Sequence, residues 1–524
     1  MTRFIHDQFA KQYLTELLTP NGQVETKNWP VVSDTTSVQY LQYTPDQVGN
    51  YTFKFDYPKQ TYTWTSSTPG ANTAYTNDTW GAASKTITLT VQEGAKVMGK
   101  SSGADVAALV ITRGAKIIAR GTAEKPIVFT SAAQNPASGD WGGIVLLGTA
   151  KVNQTLTWKG AAVAGLTSVE GGFNDTEVGY GLAGSGDAAF PTGNDADNSG
   201  ILQFVRIEYA GYAYQPDNEL NSLTMAGVGN GTTIDHIQVT YAKDDAFEWF
   251  GGTVNCKYLI AFKTQDDDFD TDFGYAGNVQ FGIVLRDSAI ADISTSEAFE
   301  SDNDGRGSTL SPKTTAVFSN ITAIGPRIDP TYGKGNSLYR AGAHIRRNTG
   351  ISIMNSIIAG WPVAIQFDAS TGTAVDKNID DSTIRIKNTT FAGNTANITY
   401  TASSSPTGAS SSSLLSWFSN PFYGNTILTT ASADRLKLIQ PFNYTNPDFT
   451  PYANNSTPSG AASTDALTAA WGSLGIWDHV NFTKNGSFTD SKLQNAFFEK
   501  VTFRGAVATS GPNQTWWKGW TVWK

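Results

Sequence analysis

Apolar and polar positions alternate in short runs along most of the chain, which is the two-residue period of half-buried β-strands. TITLTVQEGAKVMGK (86–100), ILQFVRIEYAG (201–211), IDHIQVTYA (234–242), KYLIAF (257–262), VQFGIVLRD (279–287), AVFSNITAIG (316–325) and STIRIKNTTFAGN (382–394) each read as strand, polar corner, or strand again. Gly and Asn recur at the corners, where left-handed backbone is tolerated and stacked amides can form ladders. Gly-Ala-Lys occurs at 94–96 and again at 114–116, a spacing of 20 residues that predicts one turn of a coil. Strand runs repeating at such intervals predict an all-β solenoid, with each turn laid on the last.

The ends of the chain depart from this pattern. Apolar residues over 1–18, from Phe4 and Ile5 to Leu17 and Leu18, fall near helical spacing and predict a short helix ended by Pro20-Asn21-Gly22. Thr, Tyr and Trp alternate over 26–85, which predicts a β-rich cap over the open end of the coil. The predicted organisation is therefore an N-terminal helix and cap over 1–85, a parallel β-helix over 86–400, a Ser-rich loop or insertion over 401–473, and a C-terminal β unit over 474–524 that closes the helix.

Three acid-rich passages share a register. Asp244, Asp245 and Glu248 lie in AKDDAFEWFGG, then Asp266, Asp267, Asp268, Asp270 and Asp272 in KTQDDDFDTDFG, then Glu297, Glu300, Asp302 and Asp304 in SEAFESDNDGRG. Each contains Phe followed by a carboxylate, with steps of 22 residues from Phe247 to Phe269 and 30 from Phe269 to Phe299. Coiling would stack Glu248, Asp270 and Glu300 at the strand spacing of about 4.8 Å. Two ionised carboxylates that far apart repel by roughly 3 kcal/mol at an effective dielectric near 20, so the column calls for a cation, an arginine or retained protons.

Composition narrows the choices. The 524 residues carry a formal charge of -9 and no Lys/Arg run, which disfavours nucleic acid. One cysteine, Cys256, excludes an internal disulfide, and its apolar surroundings predict a buried thiol. Four scattered His give no zinc spacing. No run of about 18 apolar residues predicts a membrane span, and the amphipathic N-terminus lacks the apolar stretch of a secretory signal.

The runs LVITRGAKIIARGTAEKPIVFTS, DWGGIVLLG, NDADNSGILQFVRIEYAG, DDAFEWFGGTVN and QDDDFDTDFGYAGNVQFG, with the closing FRGAVATSGPNQTWWKGWTVW, carry a resemblance. Together they resemble a family of Gram-negative bacterial surface proteins, often lipoproteins, built as a right-handed parallel β-helix of the pectin lyase-like kind. The resemblance spans about 86–370 and 495–524. It implies that architecture and an extracellular or outer-membrane surface setting, and no particular activity. Lipoprotein members carry an acylated Cys near the start, which this sequence lacks.

The candidate metal ligands are Asp244, Asp245, Glu248, Asp266, Asp267, Asp268, Asp270, Glu300, Asp302 and Asp304. Ca²⁺, which takes six to eight oxygens, is the expected ion. A salt-bridge ladder is the alternative, because AGAHIRRNTG brings His344, Arg346 and Arg347 to the next turn, with Lys243 and Lys263 nearby. NDADNSG adds Asp195 and Asp197 at calcium-loop spacing, but Arg206 stands where the loop's terminal Glu belongs, so a tight Asx turn reads equally well. Tyr212 and Tyr214, with Arg346 and Arg347, are the candidate ligand contacts, the tyrosines through stacking on sugar rings. The expected role is a non-catalytic binding or accessory component, stabilised by calcium, towards a glycan or a neighbouring surface protein. A calcium-dependent polysaccharide lyase or hydrolase, in which Arg346 or Arg347 takes the proton, and a self-assembling structural subunit are the rivals.

Overall fold

The computed structural model describes residues 88–451 and 486–524, apart from 102–105, 172–178, 216–217, 327–334, 406, 429–437 and 442, together with six short strands between residues 2 and 55. Successive turns of the chain alternate between two long sheets, one of fourteen strands and one of nine, in which the coil strands pair in parallel. Thr233–Thr240, Asn255–Phe262, Asn278–Leu285 and Val317–Ile324 stack in the larger sheet. Leu223–Ala226, Phe247–Phe250, Phe269–Asp272, Ser296–Ser301 and Tyr339–Arg346 stack in the smaller. This is a parallel β-helix.

The pleat explains why these runs alternate. In the smaller sheet Phe247, Phe269 and Phe299 are paired rung to rung and buried in the main core, with rings 5.7 and 5.5 Å apart. Each such ring contributes about 2 to 3 kcal/mol through burial. The residues one step along, Glu248, Asp270 and Glu300, belong by the same alternation to the opposite face.

The strands of the larger sheet bend at one shared position. Phe204, His236, Tyr258, Phe281, Asn320, Asn355 and Asn388 occupy successive rungs, all with φ between 49° and 63°. Asn tolerates this backbone, as the corner composition predicts. An aromatic there costs on the order of 1 to 2 kcal/mol, offset by stacking at 4.2, 4.3 and 5.1 Å along Phe204, His236, Tyr258 and Phe281.

Several boundaries differ from expectation. The two ends of the helix expected over 1–18 are strands instead: Leu14–Leu18 pairs antiparallel with Val24–Glu25 and Thr52–Phe55, and Thr2–Ile5 with Gln39–Tyr43, while residues 6–13 lie outside the described residues. Cross-strand hydrogen bonding there overrides helical spacing. The two Gly-Ala-Lys phrases are not one turn apart: Lys116 pairs with Thr88 and Lys96 with Val128. Gly94 bends the chain within the larger sheet, whereas Gly114 turns it from the smaller sheet into the larger. The coil also runs past residue 400, since Thr426–Leu428 pairs in parallel with Thr390–Ala392. Within the Ser-rich stretch, Ser411–Phe418 is a helix opened by a reciprocal Ser410/Ser413 capping box, and Phe418 stacks 4.0 Å from Phe391.

Among the described residues the C-terminal segment forms no β unit. Residues 474–485 of the expected β unit lie outside the described residues, and 486–524 contains 3₁₀ turns and no strand. The segment runs as a strap across the outer face of the larger sheet. Asn355 Nδ2 donates to Ser487 O at 3.1 Å, Gln280 Nε2 to Glu499 O at 2.8 Å, and Gln238 Nε2 to Val522 O at 2.8 Å. Trp516, Trp517 and Trp520 bury against Phe262, Phe281 and Ile283.

Candidate functional site

The smaller sheet sets the spacing of the acidic column. Thr224, Glu248, Asp270, Glu300 and His344 are paired rung by rung, so three carboxylates lie directly above one another before a histidine ends the column. A second ladder runs beside it through Asp245, Asp267 and Glu297. Asp245 Oδ1 accepts from Asp267 N–H at 2.9 Å, and Asp267 Oδ1 accepts from Glu297 N–H at 2.6 Å.

The strip divides into two electrostatic halves. At the downstream end Arg346 binds Glu300 and, at 2.8 Å, Asp302, while Arg347 binds Asp302 at 2.7 Å. His344 Nδ1 lies 3.2 Å from Glu300, and Arg340 lies 3.3 Å from Glu297. Burial alone would raise the Glu300 carboxyl, but Arg346 and His344 hold it down at about 2. The upstream end lacks such ion pairs among the described residues. Among the described residues no Lys, Arg or His forms a salt bridge with Asp244, Asp245, Glu248, Asp266, Asp267, Asp270 or Asp272. Burial and the neighbouring carboxylates push all seven carboxyls above the ordinary range.

Oxygen atoms of Asp245, Glu248 and Asp270 all lie within 4.8 Å of one another, as do those of Asp244, Asp245 and Asp266. Asp270 Oδ1 is buried without a hydrogen-bond partner, whereas Glu248 accepts from the Asn221 amide. An all-oxygen donor set with an orphaned carboxylate oxygen fits a hard divalent cation. The same crowding can also be relieved by retained protons.

Other candidates lie elsewhere. Asp268 is not in the strip: fully buried, it lies 3.0 Å from Arg286, and burial pushes its carboxyl up to about 7 against the pull of that guanidinium. Two residues on from Asp266, the chain has already turned inward. Asp302 is engaged by both arginines. Asp304 holds its own turn, accepting from Arg306 N–H at 2.9 Å and Ser308 N–H at 3.0 Å. Asp197 accepts from Thr149 N–H and Oγ1 at 3.1 and 2.9 Å, and Asp195 pairs with Lys151 at 2.7 Å. NDADNSG is thus an Asx turn docked on the preceding coil, with no part in the strip. Among the described residues Lys243 forms no ion pair with the acids, and Lys263 instead faces Asp287 at 3.6 Å.

Tyr212 and Tyr214 flank the strip. Their hairpin, Ala213–Gln215 with Asn218–Glu219, places Glu219 close enough to raise Asp244, and Tyr214 is 46% exposed. Arg347 and Arg340 are partly exposed at the opposite end. Sequence reading passed over Arg286 and Arg340. The one available signal for Arg286 was a cation ending the apolar run VQFGIVL, level with the acidic turn before it.

No helix among the described residues is long and apolar enough to cross a membrane. A family model described as a pectate-lyase like beta helix domain matches residues 63–421. No curated protein matches the chain.

Proposed function

Because this chain belongs to the family of pectate-lyase like beta helix domains, we propose that its acidic strip holds a divalent cation, best Ca²⁺, on a surface that binds an anionic glycan or a neighbouring surface protein without cleaving it. What carries the reading is the trio Asp245, Glu248 and Asp270, whose oxygens converge within 4.8 Å with no basic side chain among the described residues in a salt bridge to any of them. A bound cation adds the missing charge and leaves the Tyr214 hairpin and the partly exposed Arg347 to contact the ligand.

The state of Arg346 counts against that residue as a lyase base. A lyase base must give up its own proton before it takes the sugar's. Burial would favour the neutral guanidine, but Glu300 and Asp302 override it and keep Arg346 more firmly protonated than an ordinary arginine. An extracellular or outer-surface location is part of the same proposal, resting on the resemblance of the coil phrases to surface proteins.

Isothermal calorimetry with Ca²⁺, followed by incubation of the calcium-loaded protein with polygalacturonate, tests the reading. The expected result is saturable calcium binding and polymer retention without unsaturated uronate absorbance. Absence of calcium heat removes the cation site, and release of unsaturated ends establishes the lyase instead.

A further inference from the structure

We infer that Arg286 is a positioning residue for this cation site: from within the protein it fixes the backbone turns that carry the acidic ladder. The inference rests on the reading of the strip as a cation site. Arg286 is completely buried, directly after the Asn278–Leu285 strand. Its Nη1 donates to Thr264 O at 2.6 Å, and its Nη2 donates to Glu297 O at 2.6 Å and also to Asp266 O. Nε lies 3.0 Å from Asp268, and the rings of Tyr339 and Trp361 lie 5.5 and 5.8 Å from the guanidinium carbon. One planar fork therefore joins two successive turns of the coil through three carbonyls.

Those carbonyls belong to the segments that hold the ladder. Asp267, between the gripped carbonyl of Asp266 and the ion-paired Asp268, donates its N–H to Asp245 Oδ1 and presents its own carboxylate to Glu297 N–H. The Glu297 carbonyl that Arg286 grips also accepts from Asp268 N–H at 3.2 Å. Shift these turns and the Asp245 and Asp267 oxygens shift with them. A cation that binds oxygens at about 2.3 to 2.6 Å is sensitive to such displacement. Asp268 lies against the guanidinium and offsets part of its charge, and the hold of Arg286 on three carbonyls is what sets the geometry of these turns.

The test is calcium calorimetry on the full chain, with circular dichroism and melting as controls. Arg286→Met combined with Asp268→Asn removes both buried charges together and avoids leaving one unpaired. This variant is expected to keep its β-sheet spectrum and cooperative melting while its calcium affinity falls at least about tenfold. Arg286→Lys keeps a cation but cannot span three carbonyls, and its affinity is also expected to fall. Wild-type affinity in the folded double variant overturns the inference. If the double variant does not fold, Arg286→Lys decides, and wild-type affinity there overturns it equally. A wild-type chain that binds no calcium sinks the cation reading itself, a separate outcome from a wild-type chain that binds and variants that bind as well.

Discussion

Replacing Asp270 by Asn should stabilise the calcium-free protein and abolish its response to calcium. The oxygens of Asp245, Glu248 and Asp270 lie within 4.8 Å of one another, and each fully ionised pair at that separation repels by roughly 3 kcal/mol at an effective dielectric of 20. Of the three pairs, the substitution removes the two that involve residue 270. The direction with pH follows from the carboxyls' raised values in the folded protein. The folded state holds protons that the unfolded chain releases near pH 4, so stability falls as pH rises through the folded values. In EDTA the wild-type melting temperature should therefore decline from pH 5 to pH 8, and that of the Asp270→Asn variant should decline less. Calcium at a hundredfold excess over its Kd adds about 2.7 kcal/mol to the wild type, a rise of about 3 to 4 °C for a unit the size of the coil. Scanning calorimetry at pH 5, 6.5 and 8, in EDTA and in calcium, reads all of these quantities. A variant that melts below the wild type in EDTA at pH 8, or that keeps the full calcium increment, refutes the reasoning.

Arg346→Ala should cost about 3 kcal/mol near neutral pH, because it leaves two buried carboxylates short of their counter-charge. The contribution of Glu300, held at about 2, is present above its unfolded value near 4.5 and is lost as pH falls towards 2, so the acid-unfolding midpoint of the variant should move to higher pH. Deleting residues 486–524 uncovers Phe262, Phe281 and Ile283 and forfeits three buried indoles worth about 2 to 3 kcal/mol each. Lower melting temperature and new binding of a hydrophobic dye should follow, and an unchanged melt would show that the strap adds nothing. Cys256 is fully buried, and burial pushes its thiol pKa up. It should react with a thiol reagent only after denaturant is added, and rapid labelling of the native protein would contradict its placement.

The coil could be read from the chain because its two signals are local. The pleat forces alternation within each run, and the repeated acid-Phe-acid phrase reports which residues share a face from one turn to the next. Glu248, Asp270 and Glu300 were thus placed in one column without coordinates. The helical spacing at 2–5 and 14–18 and the β reading of 486–524 mislead because local spacing cannot report a distant partner. Leu14–Leu18 is a strand because of Thr52–Phe55, and the Trp-rich tail is a strap because Gln238, Gln280 and Asn355 offer amides along its path. Gly94 and Gly114 show the same limit, since identical tripeptides sit at different kinds of corner.

The sequence by itself determined that this chain winds into stacked parallel strands and crowds carboxylates along one face, because both follow from a period in the order of residues. Only the tertiary structure decided which carboxylates are already neutralised and which are not. It gave Arg346 to Glu300 and Asp302, sent Asp268 inward to Arg286, and left Asp245, Glu248 and Asp270 without a salt bridge among the described residues. The physical reason is reach. A Coulomb interaction between buried groups is set by a few ångströms in space, whereas Asp302 and Glu300 stand 44 and 46 positions from Arg346 in sequence, and come within that distance only when the coil closes.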